Sequence, residues 1–114
     1  MKFYRSDRVS SLIEKELGML LIKEIETPGA LITITAVEVQ RKMERAVVKF
    51  SVIPSEKAPE VLKILGKAAG RLQFMLSRKL NIKPMPKIVF EIDRGPENAA
   101  QVEKALLSDN NSVY

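Results

Sequence analysis

A chain of 114 residues with 46% hydrophobic content has the length of one folded domain with a real core, and is too apolar for global disorder. It lacks cysteine and histidine, which excludes a disulfide framework, thiolate or imidazole metal sites, a thiol nucleophile and the commonest general base. The net charge of +5 is segregated: residues 1–40 carry −1, residues 41–94 carry +8 and residues 95–114 carry −2, so the middle segment is suited to a polyanionic partner.

Ser6 and Asp7 can cap a helix beginning near Arg8, and Val9, Leu12, Ile13, Leu17, Leu20, Leu21 and Ile25 recur on one face of it. Thr27-Pro28-Gly29 ends that helix. Leu31 to Val39 and Ala46 to Ile53 are β-branched runs, and the polar segment from Gln40 to Arg45 predicts a hairpin between them. Ala46, Val48, Phe50 and Val52 alternate with Val47, Lys49 and Ser51, the pattern of a sheet covered by helices on one side.

A second helical pattern starts between Ser55 and Pro59 and keeps its apolar phase through Val61, Leu62, Leu65, Ala68, Leu72, Met75, Leu76 and Leu80. Gly66-Lys67-Ala68-Ala69-Gly70-Arg71 lies within it. Two glycines in a helix interior cost about 1 kcal/mol each relative to alanine, so a bend or break is expected there, with Ala68, Ala69 and Gly70 as the kink. A helix restarting after Gly70 would present unpaired N–H groups to an anion. Phe50, Phe74 and Phe90 read as core. Lys87 to Ile92 predicts a third strand, and Gly95-Pro96 opens a last helix.

The expected order is α-β-β-α-kink-α-β-α: an α+β domain over residues 1–107, a three-stranded mixed sheet packed on helices, with a flexible tail over 108–114. It matches a type II KH-like arrangement. No apolar run approaches the roughly 20 residues of a membrane span, and the N-terminus lacks the h-region of a signal peptide, so a cytoplasmic monomer is expected.

Lys63, Lys67, Arg71 and Arg78 are separated by four, four and seven residues, which places them in one stripe opposite the apolar face. Arg41, Lys42 and Arg45 at the hairpin give a second basic region, and the loop before the third strand adds Lys79, Lys83 and Lys87. The scarcity of free aromatics favours recognition of RNA by backbone and shape. A protein-interaction module, with incidental charge, is the alternative. Glu91 and Asp93 share a strand face and could hold a hard cation, but one solvated face explains them equally well; no catalytic residue, metal or cofactor is expected.

The chain resembles the ribosome-binding factor A family over about residues 5–107. Arg5-x-x-Arg8-Val9 with Ile13, Glu16 and Leu17 resembles its first helix, and Ile32 to Val39 its first strand. Ala68-Ala69-Gly70 followed by Leu72 resembles its Ala-x-Gly kink, and Phe90, Asp93 and Glu97 its third strand and exit. Two positions depart from the family pattern: Thr27-Pro28-Gly29 stands in place of Asp-Pro-Arg, and Gln40-Arg41-Lys42 in place of Ser-x-Asp. The resemblance implies binding to the immature small (30S) ribosomal subunit and its rRNA, support for late maturation of 16S rRNA, functional links to assembly GTPases, and no catalysis. It also implies that the kinked helix pair meets RNA.

Overall fold

The computed structural model describes residues 4–95. Helix α1 spans Arg5–Glu24, strand β1 Leu31–Val39 and strand β2 Arg45–Ile53; a 3-10 turn over Ser55–Lys57 leads into helix α2, Ala58–Leu80, and strand β3 spans Lys87–Ile92. The expected last helix and tail lie outside the described residues.

α1 begins three residues before the position expected from its sequence. The Asp7 carboxylate accepts the Tyr4 backbone N–H at 3.4 Å, so Asp7 acts from within the first turn and Tyr4, not Ser6, is the cap. Ser6, Val9, Ile13, Leu17 and Leu21 form the buried stripe. The chain then reverses through Thr27–Ala30, where the Ala30 N–H donates to the Thr27 carbonyl at 3.0 Å and Gly29 takes φ 74°. Proline followed by a positive-φ glycine is the order that a type II turn favours.

β1 and β2 pair antiparallel, with a bulge at Thr35, and β3 pairs parallel to β2, giving sheet order β1-β2-β3. The parallel pair requires a crossover, which α2 supplies. Ala46, Val48, Phe50 and Val52 face both helices and are buried, while Val47, Lys49 and Ser51 line the open face. Phe50 meets Phe90 edge-to-face at 6.3 Å, and Val48 and Phe50 pack into one core with Ile13, Leu17, Leu65, Leu72 and Leu76.

Two side chains fix the loops at one end of the sheet. Met43, in the hairpin, adopts φ 64° and is only 6% exposed, so its backbone conformation and its burial are imposed together. Gln73 clasps the start of β3: its amide donates to the Pro86 carbonyl at 3.2 Å and its oxygen accepts the Ile88 N–H at 3.1 Å.

The α+β, KH-like architecture with a mixed three-stranded sheet is the one expected, but the break in the second helix is corrected. α2 is a single helix of 23 residues with Ala68, Ala69 and Gly70 inside it. Its buried positions, Ala58, Val61, Leu65, Ala68, Leu72 and Leu76, keep helical spacing on both sides of the glycines. Gly66 and Gly70 are exposed, and a Cβ at either would meet nothing within 4 Å, so no neighbour forces the chain apart there. Burial of one continuous apolar face outweighs the local propensity cost. There is consequently no second helix N-terminus at Arg71 to bind an anion.

Candidate nucleic-acid interface

α2 packs on the sheet and against α1 through its apolar face, which leaves Lys63, Lys67, Arg71 and Arg78 exposed on the other side. These four span about 22 Å of helix at 1.5 Å rise per residue. Lys63 and Lys67 make no hydrogen bond or ion pair among the described residues, so their ammonium groups are available to an external anion. Arg71 is partly committed, because its Nη2 donates at 3.2 Å to the carbonyl of Glu24, the last residue of α1. Lys79, on the flank of the helix beside the stripe, is committed to an ion pair with Glu16 at 3.1 Å.

Phe74, expected in the core, is 60% exposed. It sits one turn before Arg78, whose guanidinium lies over its ring at 5.7 Å, and one turn after Gly70. The stripe is therefore not purely cationic; it carries one large apolar side chain in its midst.

The hairpin region is larger than the sequence indicated. α1 runs away from the hairpin and α2 runs back toward it, so the N-terminus of α1, the β1–β2 turn and the α2–β3 loop meet at one end of the molecule. Arg41 places its guanidinium 4.1 Å from the centre of the Tyr4 ring. Arg5 donates from Nη2 to the Lys83 carbonyl at 3.1 Å, and the Lys87 N–H donates to the Glu44 carbonyl at 3.0 Å. Arg45 and Lys87 are register partners across β2 and β3, both exposed. Arg41, Lys42 and Arg45 thus share their end with Arg5, Lys83 and Lys87. An open hollow beside them, lined by Tyr4, Arg5, Arg8, Ser11, Leu12 and Lys15 with Asp7, adds Arg8 and Lys15. The positive end of the α1 dipole points the same way. Nothing local in the sequence marks Arg5, Arg8 or Lys15 for this end; strand pairing and helix direction bring them there.

The open face of the sheet has a different character. Lys49 lies between Glu38 at 3.4 Å and Glu91 at 4.0 Å. The Asp93 carboxylate accepts the Thr35 hydroxyl at 2.6 Å and the Gly95 N–H at 2.9 Å. These bonds, with the nearby Lys49 charge, hold its pKa below the ordinary value of 3.8. Glu91 and Asp93 already have protein partners, and no group of three metal-ligating side chains exists among the described residues. The arrangement is that of a solvated ion-pair lattice.

No helix among the described residues is long and apolar enough to cross a membrane. The cationic end and the α2 stripe together offer a polyanion many point charges, a stacked Arg41–Tyr4 pair and one exposed phenyl ring.

Comparison with known proteins identifies the family and the fold. The sequence model of the family described as Ribosome-binding factor A matches residues 5–106. A Ribosome-binding factor A of Ectopseudomonas mendocina (strain ymp) is 34% identical over 94% of this chain and 90% of its own. The crystal structure of ribosome-binding factor A from Thermus thermophilus superposes with a TM-score of 0.69 at 22% identity, covering 81% of this chain and all of that one. A homology model of Thermus thermophilus ribosome-binding factor A, as fitted into the cryo-EM map of a 30S complex, has a TM-score of 0.58 at 26% identity, covering 72% of this chain and 92% of its own. By the family match across residues 5–106 and the identity to curated relatives, this chain belongs to the ribosome-binding factor A family.

Proposed function

We propose that this chain is a non-enzymatic assembly factor that binds the immature small ribosomal subunit and assists late maturation and processing of 16S rRNA. The observation that carries this reading is family membership over nearly the whole described fold, together with a fold-matched relative placed in a 30S complex. The factor acts as a cytoplasmic monomer, without a cofactor, and its cycle is linked to assembly GTPases.

RNA contacts fall to the two basic regions. Lys63, Lys67, Arg71 and Arg78 engage phosphates along α2, and Arg41, Lys42 and Arg45 engage them at the hairpin end. Of Ala68, Ala69 and Gly70, Ala68 faces the core, and exposed Gly70, with Gly66 one turn before it, keeps the helix surface low so that a backbone approaches closely. Support comes from the exposure of all seven cations and from their gathering on one end and one helix face. Sedimentation of a lysate on a sucrose gradient tests the reading: the protein should travel with free small subunits and not with whole ribosomes. Its presence only at the top of the gradient would overturn it.

Contact with a ribosomal protein is favoured by a separate observation. Leu31 and Ile53, register partners at the far end of the sheet, are 62% and 65% exposed, and Ile22 is 85% exposed. Crosslinks from the α2 stripe to protein alone would move the main interface to that chemistry.

A further inference from the structure

We infer that Phe74 is a stacking platform for an unpaired nucleobase of the RNA that the α2 stripe binds. The inference rests on the assignment of RNA to that stripe and adds a base contact to what is otherwise phosphate recognition. Phe74 occupies the solvent side of a helix whose apolar face is already filled by Leu65, Leu72 and Leu76, so folding alone gives no reason for a phenyl ring at 60% exposure. Its surroundings are cationic: Arg78 lies over the ring at 5.7 Å, and Lys67 and Arg71 lie one to two turns toward the N-terminus on the same side.

A helical side chain leans toward the turn before its own Cα. For Phe74 that turn holds Gly70, where a Cβ would meet nothing within 4 Å, so the ring does not settle onto the gap. Space for a flat base therefore remains beside the ring, with Lys67 and Arg71 placed to take phosphates on its N-terminal side and Arg78 on the other. A protein partner burying a phenyl ring would have to cover these flanking charges, whereas RNA neutralises them. Charge complementarity thus selects the nucleic acid.

The test uses the full chain with single-stranded oligoadenylate as a base-bearing probe and inorganic polyphosphate as a base-free one. Phe74→Ala should weaken oligoadenylate binding about 5- to 150-fold, the range for removal of one base–aromatic stack. It should leave polyphosphate binding and the salt slope of both probes unchanged. The chain has no tryptophan, so Phe74→Trp introduces a single indole whose fluorescence should be quenched by oligoadenylate and not by polyphosphate. Phe74→Leu, which keeps apolar area without a π face, should behave like the alanine variant.

Unchanged oligoadenylate affinity in Phe74→Ala, with a flattened slope in Lys63→Ala/Lys67→Ala, would overturn the stacking role and leave the RNA surface standing. Unchanged affinity and slope in all of these variants would overturn both. Full affinity in Phe74→Leu would reduce the ring to a simple apolar contact. Loss of small-subunit co-sedimentation in Phe74→Ala with intact oligoadenylate binding would assign the ring to a protein and overturn the inference.

Discussion

The guanidinium of Arg71, on the exposed side of α2, donates to the carbonyl of Glu24 at 3.2 Å and thereby caps the C-terminus of α1. A cation at a helix C-terminus is favourable to the dipole and satisfies a carbonyl that has no intrahelical partner. Arg71 therefore serves the fold and the proposed surface together, while Lys67, one turn away and without a partner among the described residues, serves the surface alone.

The two residues are separable by measurement. Arg71→Ala should lower unfolding free energy by about 0.5–1.5 kcal/mol, the usual worth of one hydrogen bond, whereas Lys67→Ala should stay within about 0.5 kcal/mol of the parent. Each variant should reduce the log–log salt dependence of RNA binding by about 0.7–0.9 for every phosphate it no longer neutralises. Equal stability of the two variants in urea titration would deny Arg71 its capping role.

Arg45 and Lys87 present like charges to each other across β2 and β3, an arrangement that disfavours the sheet. Lys87→Glu should raise stability by about 0.2–1 kcal/mol through an opposite-charge pair and weaken RNA binding at the same time. Opposite movement of the thermal midpoint and of the affinity is the signature; parallel movement would detach this pair from the RNA surface.

Met43 combines φ 64° with 6% exposure. Met43→Ala removes its packing and keeps the strain, for a loss of about 2–5 kcal/mol, the range for a buried methionine. Met43→Gly removes the packing and relieves the strain, so it should be the more stable of the two by about 1–2 kcal/mol. Chemical denaturation of both variants decides the order, which the opposite ranking would refute.

The folded-state pKa of Asp93 is depressed, first by the Thr35 hydroxyl and then by the Gly95 N–H. A depressed carboxylate contributes stability that is present above its unfolded pKa, near 3.9, and is lost as pH falls through the lower folded value. Thr35→Val should remove part of that contribution, narrowing the stability difference between neutral and strongly acidic solution. The loss should be full above about pH 4 and fade as pH falls below it, and a loss confined to strongly acidic solution would contradict it.

Most of the architecture is legible in the sequence because burial imposes a period. The stripe Val9, Ile13, Leu17 and Leu21, the alternation around Val48 and Phe50, and the spacing of Leu65, Leu72 and Leu76 each mark one covered face. Residue type alone puts Phe74 in the core, although the phase of Leu72 and Leu76 places it on the opposite side. The break expected at Gly66–Gly70 does not form for a related reason: both glycines lie on the solvent side, where helix propensity acts apart from the packing that holds the helix together. The stripe of lysines and arginines is visible as a spacing. Arg41, Lys83 and Lys87 are also legible as basic segments, but the gathering of Arg5 with them is not, since it depends on helix direction and strand pairing across most of the chain.

That gathering makes salt act on the protein with two signs. Unfolding disperses cations that the fold crowds together at the α1 N-terminus, the hairpin turn and the start of β3. Screening should therefore stabilise the free chain as ionic strength rises, while the same ions weaken its hold on RNA. A bound polyanion takes over the role of the salt, so thermal stability should become less sensitive to ionic strength once RNA is present.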